Sequence, residues 1–87
     1  MLFSILSMKK LSKSEHLLLQ QMGAKFKELR IKSGYSSYEN FAYDHNLNRM
    51  QYWRLEKGLS NMSMSTLLKL LNVHGLSLSA FFTQLNK

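Results

Sequence analysis

This 87-residue sequence contains no cysteine and no proline, and only 4 of its residues are glycine. The absence of cysteine excludes disulfide bonds and thiolate metal sites, and it favours a cytoplasmic location. Because proline and glycine interrupt helices most often, their scarcity beside a 45% hydrophobic content predicts an all-α protein. A chain of this length forms one domain with a modest core.

Acidic residues are also scarce, since 5 Asp and Glu stand against 12 Lys and Arg, a formal net charge of +7. Such an excess favours a polyanionic partner, with solubility alone as the alternative interpretation. Residues 1–35 hold seven basic and two acidic residues, net +5, whereas residues 36–58 hold three of each. Long-range attraction to a polyanion is therefore expected to come mainly from the N-terminal third.

The sequence also lacks an apolar run long enough to cross a membrane, so no membrane partner is expected. Its apolar opening, Met1–Ser7, has neither the length nor the cleavage site of a signal peptide. We predict an N-terminal arm or extension over residues 1–13 and a single domain over residues 14–87. Met8, which precedes two lysines, is an alternative start to Met1.

Apolar spacing and capping residues predict five helices. Four apolar residues recur at steps of three or four, as one helix face requires: Leu19, Met22, Phe26 and Leu29. This stripe predicts a first helix from about Ser14, as its N-cap, to Lys32. The other predicted helices cover about residues 38–45, 49–57 and 64–73 and a short segment after Ser77, with N-caps at Ser37, Asn48, Ser63 and Ser77.

The last two predicted helices are rich in large apolar residues. The fourth helix has more leucines than one buried face holds, so one edge is expected to be exposed or paired: Leu67, Leu68, Leu70 and Leu71. In the fifth helix, three residues are expected to close the core: Leu78, Phe81 and Phe82.

The segment 41–58 has the pattern of two short helices joined by a tight turn. Asn46 lies where a helix must end, and asparagine tolerates the left-handed conformation required there. Leu47 can fill the space between the helices, and Asn48 can cap the second one. Gly58 ends that helix. This arrangement is typical of a helix-turn-helix.

Short segments across residues 23–82 match one family in register and without a gap. They are Phe26, Leu29 and Arg30, then Phe41-Ala42, Leu47-Asn48-Arg49, Arg54–Gly58, Ser63–Lys69, Gly75–Ser77 and Phe82. Together they resemble the lambda-repressor-like, Cro/C1-type (XRE) helix-turn-helix family. The chain departs from the family at Asn46, Tyr38 and Trp53, where Gly, Gln and a smaller polar residue are common.

The resemblance implies a compact five-helix lambda-repressor-like DNA-binding domain, in which helices 2 and 3 form the helix-turn-helix. Helix 49–57 would then enter the major groove. The candidate base-reading residues are those facing away from Tyr52 and Leu55: Arg49, Met50, Trp53 and Arg54. Arginine can donate two hydrogen bonds to guanine, while methionine or tryptophan can pack on a thymine methyl or the groove wall. The alternative interpretation of Arg49 and Arg54 is that they are solvated surface arginines without a DNA contact.

A second set of polar residues flanks this face and is suited to phosphate: Ser37, Tyr38, Asn48, Gln51 and Lys57. Ser37 and Tyr38 lie at a helix N-terminus, where free backbone N–H groups and the helix dipole favour an anion. Gln51 can donate an amide hydrogen bond beside the reading face. The alternative for Tyr38 is a hydrophobic cap on the core.

The remaining polar residues predict structure rather than catalysis. The resemblance assigns Arg30 and Glu56 to a partly buried ion pair that ties the first helix to the third. The three histidines fall on different predicted helices without ligand spacing, so no metal and no cofactor are expected. No nucleophile elbow, phosphate loop or carboxylate pair occurs, so we predict that the protein is not an enzyme.

These observations predict a sequence-specific DNA-binding transcription regulator, a repressor that binds double-stranded DNA as a homodimer. Two alternatives from the same fold remain. One is an antitoxin that binds both operator DNA and a toxin protein, with the apolar Met1–Leu6 and the fourth helix as its grip. The other is a helix-turn-helix protein-interaction module that no longer reads DNA.

Overall fold

The computed structural model describes residues 12–85, which form five α-helices and no strand. We number the helices in chain order: α1 Lys13–Lys32, α2 Tyr38–Asp44, α3 Arg49–Lys57, α4 Met64–Val73 and α5 Leu78–Leu85. The predicted all-α class is confirmed. Most of the predicted arm, residues 1–13, lies outside the described residues, so the division into arm and domain stays a prediction.

The N-terminus of α1 differs from the prediction by its capping residue. Ser12 is the N-cap, because its Oγ accepts a hydrogen bond from Glu15 N at 3.2 Å. The Glu15 carboxylate in turn accepts one from Ser12 N at 2.8 Å, which completes a capping box. The prediction that Ser14 caps this helix was wrong, since Ser14 lies inside its first turn.

The other four predicted N-caps are confirmed by their hydrogen bonds. In each case the side-chain oxygen accepts from the backbone N–H three residues later, at 2.9 to 3.2 Å. The residues are Ser37, Asn48, Ser63 and Ser77. Each cap satisfies a backbone donor that the first turn of a helix leaves free, so the helix starts are fixed locally by sequence.

The connection between α2 and α3 is a tight turn centred on Asn46. Asn46 has a φ of 58°, the left-handed conformation predicted for it. Leu47 N then donates to Ala42 O at 2.8 Å, which closes the end of α2. From α4, Lys69 Nζ donates to Asn46 O at 3.3 Å. The turn is therefore held both by its own backbone and by a third helix.

One hydrophobic core joins all five helices. Each contributes at least one buried residue, in order Phe26, Phe41, Tyr52, Leu70 and Phe81. Phe26 stacks on Phe81 with ring centroids 4.7 Å apart, and Phe41 packs on Tyr52 at 5.1 Å. Aromatic rings supply much buried apolar area per residue, which compensates for the small size of the domain.

Two predictions about apolar residues had different outcomes. Leu68 is 50% exposed on α4, as the excess of leucines predicted, while Leu67, Leu70 and Leu71 are buried. Leu78 was expected to close the core but is 41% exposed. It is the first residue of α5, where no preceding turn of the same helix covers its side chain.

The helices α1 and α3 cross in close backbone contact. A Cβ atom added to Gly23 would lie 2.6 Å from Glu56 O, and one added to Gly58 would lie 2.7 Å from Gln20 Cα. The backbones therefore approach to a distance that only glycine allows. This crossing clamps one side of α3 to α1.

Between residues 12 and 85, no helix combines the length and the apolar content that crossing a membrane requires.

Candidate nucleic-acid interface

The helix α3 has one locked side and one open side. Tyr52 and Leu55 are buried against the core, whereas Met50, Arg54 and Lys57 are exposed. At about 3.6 residues per turn, those three side chains lie opposite the buried pair. The helix thus presents a mixed apolar and cationic surface to solvent.

Arg49 begins this surface at the first turn of α3. Its side chain is 65% exposed, and its Nη1 lies 3.9 Å from the Oε2 of Glu39, which is itself 53% exposed. Glu39 belongs to the first turn of α2. An ion pair on the surface therefore joins the first turn of α2 to the first turn of α3.

Trp53 is the least accessible of the four predicted base-reading residues. It is half-buried, and Lys57 Nζ lies 5.9 Å from the centroid of its ring. A cation at this distance over an indole face is attracted to the ring. Trp53 and Lys57 therefore form one cluster, with the lysine on the outer side.

An open groove of about 370 Å³ runs along the other flank of α3. Gln51 and Arg54 line it on the α3 side, and Asn61, Ser63 and Thr66 line it opposite. Gln51, predicted as a phosphate contact, is thus brought beside Arg54 at the edge of the exposed surface. Polar donors stand on both walls of the groove.

The predicted phosphate contacts at helix starts have two different environments. The oxygens of Ser37 and Asn48 already accept the capping hydrogen bonds of α2 and α3, so any further contact uses the Ser37 hydroxyl hydrogen or the Asn48 amide. Tyr38 is half-buried and packs against the core, which is the alternative given for it.

Comparison with protein-family models, with curated proteins and with solved structures finds no match for this chain. The interpretation of this surface therefore depends on its own residues.

The ion pair of Arg30 and Glu56 lies under the surface, at the crossing of α1 and α3. Arg30 donates from Nε to Glu56 Oε2 at 2.7 Å and from Nη2 to Oε1 at 3.1 Å, while Nη1 donates to Tyr35 O at 2.8 Å. The side chains are 5% and 6% exposed. The hydrogen bonds to Glu56 raise the pKa of Arg30, so the buried guanidinium stays charged.

Tyr52 lies next to this pair on α3. Its hydroxyl is buried and has no hydrogen-bond partner among residues 12–85. Burial, helped by the nearby Glu56 carboxylate, raises the pKa of Tyr52, so the phenol is neutral. Tyr52 therefore carries no charge on the inner side of α3.

The cations of the described chain divide into paired and unpaired groups. Lys25 and Lys32 both pair with Glu28. Arg30 pairs with Glu56, and Arg49 pairs with Glu39. Within residues 12–85, five cations form no ion pair: Lys13, Lys27, Arg54, Lys57 and Lys69. Two of these five, Arg54 and Lys57, lie on the outer side of α3, so this short helix carries available positive charge, as α1 does through Lys13 and Lys27.

Three residues that shape this surface were not predicted from the sequence. Glu39 pairs with Arg49, Lys69 supports the turn, and Gly23 permits the helix crossing. Only Gly23 had a signal in the sequence, as a glycine inside a strongly periodic helix. Contacts between helices, such as the first two, follow no fixed spacing along the chain.

No group of three or more potential metal-ligating side chains occurs in the part of the chain that the structure describes.

Proposed function

We propose that this protein is a sequence-specific DNA-binding transcription regulator, with α2, the turn and α3 acting as a lambda-repressor-like helix-turn-helix. The observation that carries the proposal is the division of α3. Its inner side is fixed to α1 by a buried ion pair, and its outer side exposes Arg49, Met50 and Arg54 together. A rigid helix with exposed arginines suits the major groove.

In this proposal the outer residues of α3 have separate roles. Arg49 and Arg54 donate to guanine O6 and N7, and Met50 packs on a thymine methyl. Lys57 contacts a DNA phosphate. Trp53, beside it, packs against the wall of the DNA major groove. Ser37, Asn48 and Gln51 add phosphate contacts that fix the position of the helix on the duplex without reading sequence.

The same proposal includes a homodimer that represses transcription. Two copies related by a two-fold axis would place their α3 helices in major grooves about 34–36 Å apart, on a palindromic site. Among residues 12–85 each copy presents one short reading helix, and a second copy doubles the number of base contacts. Analytical ultracentrifugation with and without a palindromic duplex measures this assembly.

The decisive experiment is a titration of DNA selected from a random pool. Replacing Arg49 and Arg54 together by alanine is expected to weaken binding to the selected duplex by about 1–3 kcal/mol for each guanine that an arginine no longer reads. Binding to unrelated DNA should change much less. Wild-type binding should also fall steeply as salt concentration rises, because phosphate contacts release counterions.

A matched control removes two cations elsewhere. The variant with Lys13→Ala and Lys27→Ala removes the same charge from α1, where neither lysine forms an ion pair within the described residues. It should weaken binding to selected and unrelated DNA by similar factors. If the arginine variant binds the selected duplex as the wild type does, α3 is not the reading helix.

The exposed apolar residues of α4 and α5 favour a second candidate, an antitoxin that binds both DNA and a toxin protein. Met64 and Leu68 are 61% and 50% exposed, and the first residue of α5 is also exposed. DNA reading by α3 gives these side chains no role. The other predicted part of the grip, Met1–Leu6, lies outside the described residues.

Failure to bind any DNA at low salt would favour a pure protein-interaction module.

A further inference from the structure

The position of Arg49 is unfavourable for the stability of α3. A cation in the first turn of a helix is repelled by the positive end of the helix dipole. The first turn of α3 contains no acidic residue to offset it. The compensating charge comes instead from Glu39, whose Oε2 lies 3.9 Å from Arg49 Nη1.

Glu39 itself occupies a favourable position. It lies in the first turn of α2, where an acidic side chain is stabilised by the dipole of its own helix. The backbones that carry the two residues are fixed relative to each other, since Leu47 N donates to Ala42 O and Asn46 adopts its left-handed conformation. The carboxylate is therefore presented to Arg49 by a rigid turn.

The pair contributes little to the stability of the fold. Both side chains are more than half exposed, and ion pairs in such an environment are weak and screened by salt. Its effect is instead on geometry, because a carboxylate that attracts one edge of a guanidinium restricts the directions in which the other N–H donors point.

We propose that Glu39 is a positioning residue that directs Arg49 onto a guanine and away from the phosphate backbone. The inference rests on the proposed DNA-binding function and adds the residue that orients Arg49 towards the guanine at the N-terminus of α3. A guanidinium has five N–H donors, so it can keep Glu39 as a partner while donating to O6 and N7 of guanine. The same carboxylate repels phosphate oxygens, which disfavours a non-specific contact by Arg49.

The inference is tested by selecting bound sequences from a random DNA pool with four proteins: wild type, Glu39→Gln, Arg49→Ala and Glu28→Gln. Glu28→Gln is the matched control, because it removes a carboxylate from α1 with the same change in net charge. Wild type should prefer guanine by about tenfold or more at one position in each half-site. Arg49→Ala should abolish that preference.

Glu39→Gln should reduce the guanine preference at the same position by at least about threefold and raise affinity for unrelated DNA. Glu28→Gln should leave the preference intact. If Glu39 had a merely structural role, Glu39→Gln would lower the melting temperature without changing the base preference at the position that Arg49 reads. Equal guanine preference in wild type and Glu39→Gln overturns the inference, whereas absence of any selected sequence with wild type overturns the proposed function instead.

Discussion

Arg30 and Glu56 illustrate how much a single side chain supports in this small fold. Their hydrogen bonds join α1 to the last turn of α3, and the same arginine also donates to Tyr35 O. Both charges are almost fully buried. Removal of one partner leaves the other charge without compensation, which is costlier than loss of the pair's net attraction.

We therefore expect Glu56→Ala to lower the free energy of unfolding by about 3–5 kcal/mol. Urea denaturation followed by circular dichroism measures this change. Glu28→Ala is the control, since Glu28 is about half exposed and its ion pairs within residues 12–85 are with Lys25 and Lys32 of its own helix. It should cost less than about 1 kcal/mol. Similar losses in the two variants would contradict the structural importance of the buried pair.

At this scale the sequence predicted the inner and outer sides of α3 from spacing alone. Tyr52 and Leu55 are buried, and three of the four residues predicted to face outward, Arg49, Met50 and Arg54, are exposed, while the fourth, Trp53, is half-buried. Their roles towards DNA stay predictions. Spacing could not predict that Arg49 faces Glu39, because that contact depends on the angle between two helices.

The helices themselves were predictable because their ends depend on local hydrogen bonds. Ser63 and Ser77 cap their helices through bonds to the residue three positions later, a pattern that can be read without tertiary information. The error at α1 arose because Ser12 and Ser14 both precede the apolar stripe. Only Ser12 has a glutamate three residues later, which is the capping-box spacing.

The crossing of α1 and α3 depends on Gly23. Alanine favours a helix over glycine by about 1 kcal/mol, so helix propensity alone predicts that Gly23→Ala stabilises α1. A Cβ atom there would instead meet backbone atoms of Glu56 at 2.6 and 2.8 Å. Because backbone cannot turn aside as a side chain can, we expect a net loss of about 1–3 kcal/mol, measured by thermal unfolding.

The control for this crossing is Gln21→Ala, an exposed position on the same helix. Its effect should stay within about 0.5 kcal/mol of the wild type. A Gly23→Ala protein that melts at or above the wild-type temperature would show that α1 and α3 are not in close backbone contact.

For the molecule as a whole, the distribution of charge was only partly predictable. The sequence placed most of the excess in residues 1–35, and Lys13 and Lys27 are unpaired within the described chain. It could not predict that Glu28 pairs with two lysines while Arg54 and Lys57 form no ion pair within residues 12–85. Pairing is decided by helix geometry, so net charge per segment overstates what α1 offers a polyanion.

The shared core also makes the stability of the whole domain depend on pH. His74 lies between Phe26 and Phe41, with ring centroids at 6.1 and 5.5 Å, and its Nε2 is buried without a hydrogen-bond partner among residues 12–85. Burial, with a smaller effect of His45, lowers the pKa of His74. The folded state therefore favours the neutral imidazole.

The sign of the effect follows from proton binding. In the unfolded chain His74 takes up a proton as pH falls through its ordinary pKa of about 6.5, whereas the folded state resists it until lower pH. Stability should therefore be full well above a pH of about 6.5 and should fall as the pH drops through and below that value, as urea denaturation at each pH measures. The His74→Gln variant keeps His16 and His45 but lacks the imidazole that takes up this proton. The stability of the variant should therefore fall less over the same pH range. A fall as large as that of the wild type would mean that another group is responsible.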